Sequence, residues 1–309
     1  MHVTLEPEGQ WILPRITFSK RRIATLLGVV VLAYFGVCTY FWAVQVRKVL
    51  APTAKIPTNP ERMGMKYESE KIPVRTGDQT ALLDAFWVPA KDSSAPAFLY
   101  LHGQDATIGK NLEHTRRLYE LGYSVLVVDY LGYGKTHGQL MPNEESVYRD
   151  AQAAWDHLTG TLGYDAGRIF IFGHSLGGAV AIELASHHEE TAGLIVEGTF
   201  TSILDMSKLR YFGTLRLLPI DYLLHQRFDS LAKIGTLKVP VLLIHGTDDV
   251  KVPCTMAHRL FAAAVEPKQL LLVDGAGHTD CGSIGWVEYR EKLTRFVEKY
   301  ANAVETTAE

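Results

Sequence analysis

Ser175 stands between two glycines in Gly173-His174-Ser175-Leu176-Gly177. The apolar run Arg168 to Phe172 leads into this pentapeptide, and a helical pattern opens at Leu176. A serine in such a strand-to-helix turn needs small flanking residues, because the backbone doubles back there and leaves no room for side chains. Its hydroxyl then projects above the sheet and is placed to attack an acyl carbonyl. The backbone N–H of Leu176, at a helix start, points positive partial charge at the reacting oxygen.

A serine hydroxyl needs a base, and the base needs an orienting acid. In a strand-turn-helix setting of this type both come later in the chain, on loops after late strands. Val241 to Gly246 is a strand pattern that runs into Thr247-Asp248-Asp249-Val250-Lys251-Val252-Pro253. Leu270 to Val273 runs into Asp274-Gly275-Ala276-Gly277-His278-Thr279-Asp280. His278 is the candidate base, and its glycine-rich loop lets the ring reach Ser175. The acid is Asp248 or Asp249. The pattern His-Gly-x-x-Asp-x-x-Val-Pro fits Asp249, which leaves Asp248 as a solvated turn residue.

The elements that must hold these residues read as alternating strands and helices. Apolar runs recur at 97–101, 124–128, 168–172, 193–196, 239–244 and 270–273. Runs of this length suit strands covered on both faces. Helical patterns lie between them at 111–121, 144–162, 176–187, 256–265 and 286–300. The alternation predicts a doubly wound, mainly parallel α/β sheet. Residues 65–89 read as an antiparallel hairpin at its leading edge, turning at Gly77-Asp78.

The N-terminus is different. Residues 23–44 carry no charge, with Lys20, Arg21 and Arg22 before them and Arg47 and Lys48 after. About 22 residues at ~1.5 Å each cover ~33 Å, enough for a hydrocarbon core. The stretch is too long for the apolar part of a signal peptide and ends at a poor cleavage site. The expected organisation is a tail at 1–22, a transmembrane anchor at 23–46, a stalk at 47–64, a catalytic domain at 65–301 and a flexible tail at 302–309. Basic residues are nearly balanced across the anchor. The short tail before a single span favours the catalytic domain on the non-cytoplasmic side.

Composition sets the outer bounds. The chain has 309 residues, of which 47% are hydrophobic and 21% charged, with a formal net charge of −3. That balance lacks the basic footprint of a nucleic-acid partner. Cys38, Cys254 and Cys281 are too few and scattered for a disulfide framework or zinc cluster. Gly134-Lys135-Thr136 lacks the earlier glycine of a phosphate loop, since Asp129 stands there. His187-His188-Glu189-Glu190 reads as a solvated helix end.

With these residues in place, the chain resembles the α/β-hydrolase family over roughly residues 66–300. It is most similar to a membrane-anchored, small-cap branch with prolyl-oligopeptidase-like and aminopeptidase-like motifs. Leu101-His102-Gly103-Gln104 resembles the family's His-Gly segment after the third strand. Asp129-Tyr130-Leu131-Gly132-Tyr133-Gly134 resembles its Asp-x-x-Gly-x-Gly turn, departing at Leu131 where arginine is common. The Ser175 turn and the Asp249 and His278 loops complete the match. The resemblance implies an oxyanion hole from the backbone N–H groups of Gln104 and Leu176. It also implies a cap inserted at about 200–238. His102 and His245 are expected to be scaffolding, and Asp105 to turn away and cap the next helix.

The expected function is a membrane-anchored serine hydrolase acting on carboxylic esters or thioesters through an acyl-enzyme. The substrate would be a small-molecule or lipid acyl compound, or an acylated protein. No cofactor or metal is expected. A serine peptidase or amidase is the alternative, and a non-catalytic membrane-tethered binding protein is the reading from another class.

Overall fold

The computed structural model describes residues 19–136, 138–210 and 218–301. It divides into two compact units, Met1–Ala43 and Val44–Glu309. Helix α1 spans Lys20–Leu50, four residues longer at its end than the anchor expected at 23–46. By length and composition it is able to cross a membrane. The expected tails fall mainly outside the described residues.

The second unit is built on one eight-stranded sheet in the order β1-β2-β4-β3-β5-β6-β7-β8. β1 (Glu68–Thr76) and β2 (Gln79–Val88) form the antiparallel hairpin that the turn at Gly77-Asp78 implies. β3 (Ala97–Leu101), β4 (Ser124–Val128), β5 (Ile169–His174), β6 (Gly193–Glu197), β7 (Val241–Gly246) and β8 (Lys268–Val273) run parallel. Their carboxyl ends therefore share one edge, and the chain reverses order there between β3 and β5. Such a switch point opens a crevice for ligands.

Alternate residues of each strand feed two separate cores, as a period of two requires. Leu99, Leu101, Ile171, Val196 and Leu243 face helices α3 (Glu144–Asp156), α4 (Leu176–Ala185) and α8 (Thr255–Ala263). Phe98, Tyr100, Phe170, Phe172 and Ile195 face α2 (Leu112–Glu120) and α10 (Trp286–Ala301). At α3 the side chain of Asn143 accepts from the Ser146 N–H while Ser146 returns a bond to the Asn143 N–H. The helix expected through residue 162 changes to a π-helical turn at His157–Thr161.

The segment expected as a stalk at 47–64 is bonded to the loops beneath it. Leu50 is fully buried. Tyr133 Oη donates to the Leu50 carbonyl, and the Gly134 N–H donates to the Thr53 carbonyl at 2.9 Å. Thr107 Oγ1 donates to the Lys55 carbonyl at 2.6 Å. The reason is the chain's own chemistry. Helix ends and proline-rich extended stretches leave carbonyls without partners. The loops after β3 and β4 supply the donors, so the segment lies as a strap across them.

The cap follows β6 with α5 (Ile203–Arg210), α6 (Ile220–Leu223) and α7 (Ser230–Ile234). Tyr211, Phe212, Leu215, Arg216 and Leu217 lie outside the described residues. Glu144, at the start of α3, accepts from the N–H groups of Arg227 and Phe228 and ties the cap's return to the sheet domain.

Candidate active site

Ser175 has φ 55° and ψ −119°, a conformation that costs an L-residue energy and persists only where its surroundings over-determine it. They do so here. Register pairs Leu101 with Gly173 and Gly173 with Val196, which wedges the turn between β3 and β6. A Cβ on Gly173 would strike the Gly177 backbone, and one on Gly177 would strike the Leu101 carbonyl. The Ser175 N–H donates to the Glu197 carbonyl at 2.9 Å, and its own carbonyl accepts from the Gly178 N–H at 2.9 Å.

The structure brings together the three side chains that the motifs single out. Ser175 Oγ lies 2.9 Å from His278 Nε2. His278 Nδ1 lies 2.7 Å from Asp249 Oδ2. An ionised carboxylate only accepts, so the proton of this ring sits on Nδ1 and Nε2 is left to accept from the serine. Asp249 Oδ1 accepts from the Lys251 and Val252 N–H groups at 2.8 and 2.9 Å. Burial opposes its charge, but hydrogen bonds from His245, His278 and Val252 outweigh that and hold the carboxyl well below its ordinary range. Asp248 is exposed, as a turn residue would be.

His245 serves the acid loop. Its Nε2 is 2.8 Å from the Val252 carbonyl and 3.3 Å from Asp249 Oδ2, so the shorter bond goes to the backbone. His102 is fully buried against Tyr130 and Tyr133. Gly103 packs on the nucleophile so closely that a Cβ there would lie 3.1 Å from the Ser175 Cβ. Gln104 is the next residue in the chain, and Leu176 is the first residue of α4. Asp105 does turn outward, to Lys110 at 3.0 Å. It does not cap a helix, because α2 starts seven residues on, after Asn111. Cys254 and Cys281 are free thiols.

Two groups of residues around the site carry no sequence motif. Behind the serine, Glu197 is fully buried. Its Oε2 accepts from Tyr289 Oη at 2.9 Å, and its Oε1 lies 3.4 Å from His114 Nε2. Burial alone would raise this carboxyl, yet His114 more than compensates and holds it at about 2. His174 Nε2 donates to the His278 carbonyl at 2.8 Å. Burial, reinforced by His114, lowers His174 to about 3 and keeps it neutral. Donor atoms of His114, His174 and Glu197 lie within 4.8 Å of one another, a spacing a metal ion could use. The His174 Nε2 and both Glu197 oxygens already have the partners just named, so a metal would have to displace them.

The second group is at the mouth. Gln104 Nε2 donates to the Lys48 carbonyl at 3.1 Å. Gln45, itself buried, donates through Nε2 to the Leu223 carbonyl at 3.0 Å. Its Oε1 accepts from the His225 and Gln226 N–H groups at 2.8 and 3.2 Å. The last two turns of α1 thus join the β3 exit loop to the cap. A charged residue ending the apolar run 193–196 was a signal that could have exposed Glu197. Nothing local marks Gln45.

A family profile described as serine aminopeptidase matches residues 93–219. An uncharacterized protein of Mycobacterium tuberculosis is 34% identical over 286 residues, covering 93% of this chain and 99% of that protein. The alpha/beta hydrolase domain-containing protein WAV2 of Arabidopsis thaliana is 32% identical over 259 residues, covering 79% of this chain and 83% of its own. Among solved structures, an esterase from Pyrococcus furiosus superposes with a TM-score of 0.65 at 20% identity, covering 81% of this chain and 99% of that one. A puromycin-hydrolyzing peptidase from M. tuberculosis gives 0.60 at 19% identity, over 77% of this chain and 39% of that one. At these identities the two solved structures share the fold.

Proposed function

Since this chain belongs to the α/β-hydrolase family, we propose that it is a membrane-anchored serine hydrolase cleaving carboxylic ester or thioester bonds. The observation that carries the reading is the unbroken line from Asp249 through His278 to Ser175, with contacts of 2.7 and 2.9 Å. Ser175 Oγ attacks the acyl carbonyl as His278 Nε2 takes its proton. Asp249 holds the ring and balances the imidazolium. The carbonyl oxygen, now negative, is met by the N–H groups of Gln104 and Leu176. Collapse expels the alcohol or thiol, which takes the proton from His278. Water then repeats the sequence on the acyl-enzyme and frees the acid and the serine.

The membrane reading rests on α1, whose apolar length exceeds that of a signal sequence's core. The non-cytoplasmic side is proposed for the catalytic unit, with basic residues nearly balanced across the span. Protease protection in sealed vesicles tests this, and digestion of the catalytic unit from the cytoplasmic face would reverse it.

Labelling by a fluorophosphonate tests the nucleophile. The wild type should label and Ser175→Ala should not. A folded wild type that stays unlabelled would move the chain to a non-catalytic role. Peptide or amide cleavage is the second reading, favoured by the aminopeptidase profile over residues 93–219. A panel of ester, thioester and peptide substrates separates the two.

A further inference from the structure

Among the described residues outside α1, nine large apolar side chains are exposed. Seven of them lie on the connections that leave the carboxyl ends of the parallel strands. Leu140 and Met141 follow β4, and Leu209 and Tyr222 belong to the cap after β6. Val250 follows β7, where it is 94% exposed, and Ile284 and Val287 follow β8. Leu82 is on the β1–β2 hairpin, and Val265 sits at the opposite edge ahead of β8. Exposed apolar residues scattered singly over a surface need no explanation. A set concentrated on the one edge that also carries Ser175, Asp249 and His278 does.

The last turns of α1 identify what covers that edge. Val44 to Leu50 belong to the catalytic unit, bonded through Gln45 to the cap and through the Lys48 carbonyl to Gln104. Seven helical residues span about 10 Å, so covalent continuity with residue 43 keeps any bilayer holding the apolar span within that reach. Polar loops with protruding apolar tips suit an interfacial position, where the tips enter the headgroup region and the backbone stays wet. Tyr222, 90% exposed, is of the amphipathic type that favours this depth.

We infer that the catalytic edge is itself a bilayer-contacting surface, seated on lipid by the apolar tips around Ser175, and that its substrates are acyl compounds partitioned into that bilayer. This deepens the proposed function and rests on it. Access from the lipid side explains why the helix end is built into the mouth of the site. The acyl chain moves from bilayer to crevice without crossing water, and the released alcohol or thiol leaves at the interface.

The test reads position separately from activity. The full-length protein, with Cys38→Ala and Cys254→Ala, is placed in phosphatidylcholine nanodiscs. A fluorophore is attached through Val287→Cys or Tyr222→Cys, with Val265→Cys as reference. Nitroxide-bearing lipid should quench the first two at least threefold more than the third. Equal quenching in a chain that stays in the disc overturns this inference and leaves the hydrolase reading intact. Loss of the chain to a carbonate wash overturns the anchor and this inference together. In a second experiment, Val287→Glu and Tyr222→Glu should slow hydrolysis of a vesicle-embedded long-chain ester at least fivefold. Hydrolysis of a soluble short-chain ester should be unchanged. Equal loss on both substrates would place these side chains in the pocket or the fold, against the proposal.

Discussion

The two walls of the crevice are held in different ways. On one, Ser175, Asp249 and His278 stand on the exits of β5, β7 and β8, and their supports come from inside the sheet domain. His174 bonds the His278 carbonyl, and Glu197 takes the Ser175 N–H on its own carbonyl. On the other wall, Gln104 follows β3, and its side chain is held by a carbonyl near the end of α1. The strap after α1 lies over the same loops. Ser175 and His278 are thus set by the core, while the Gln104 side is finished by the segment that follows α1.

The largest expected effect breaks the first wall at its acid. Asp249→Asn keeps the shape but favours the wrong tautomer of His278, and should lower kcat by about 10⁴-fold. Asp248→Asn, one residue away and solvated, should leave kcat unchanged. Ester hydrolysis by the two variants decides between the carboxylates. Comparable losses would mean that the acid is shared.

Next in size is the support behind that wall. Glu197→Gln keeps volume and removes the buried carboxylate that accepts from Tyr289 Oη and lies beside His114. Hydrogen bonds to a charged acceptor are worth about 1.5–3 kcal/mol each, so weakening the two contacts should cost about 3 kcal/mol of stability. The Ser175–His278 contact does not pass through this side chain, so kcat should fall less than 10-fold. Urea unfolding and kinetics on the same samples check it. A loss of kcat beyond 10³ with unchanged stability would make Glu197 part of the chemistry.

These supports show where sequence reading reaches and where it stops. The strands at 97–101 and 124–128 have the bounds their apolar runs imply, because a strand covered on both faces is marked residue by residue. Ser175, Asp249 and His278 are legible since steric demands of a tight turn fix the residue types around them. Glu197 is harder to see, because its partners His114 and Tyr289 stand 83 and 92 residues away. Gln45 is invisible, since its bonds reach 178 to 181 residues along the chain and an amide inside a helix has no spacing rule. The contacts of the segment read as a stalk are hidden for the same reason: prolines mark extended backbone, not what that backbone lies on.

The two walls should also respond differently to acid. The folded state binds a proton at His174 only near pH 3, whereas the unfolded chain does so near 6.5. Stability from this residue therefore falls as pH drops through that window, by up to about 1.4 kcal/mol per unit. Asp150 works in the opposite sense. It accepts from the Leu131 N–H in the turn after β4, and burial raises it to about 6 from 3.8. The folded state protonates it first, so its contribution rises as pH drops from 6 to 3.8. The two slopes offset each other, and the wild type should hold a plateau between about pH 6 and 4.5, the ordinary value of Glu197, below which that carboxylate adds its own loss. Asp150→Asn should replace the plateau with a continuous fall of about 2 kcal/mol over the same range. Urea midpoints across pH 4.5 to 6.5 measure it. An unchanged plateau would mean that His174 is not kept neutral.

The smallest effect sharpens the comparison most. Gln104→Ala keeps the backbone N–H that the proposed function assigns to the oxyanion and removes the bond to the Lys48 carbonyl. Loss of an oxyanion donor itself would cost on the order of 10²–10³-fold in rate. Loss of a brace that keeps the donor aimed should cost less, because one side-chain hydrogen bond is worth about 1 kcal/mol, or roughly fivefold. The fall should appear in kcat with KM unchanged, since in the proposed function the bond acts on a group that meets charge only in the transition state. Gln104→Glu should not restore the rate, because a carboxylate has no proton to give the Lys48 carbonyl. If Gln104→Ala matches the wild type, the β3 exit loop holds its own shape and the end of α1 rests against the mouth without tuning it. If the rate falls 100-fold or more, the loop has collapsed with the bond, and the two walls are equally dependent on their supports.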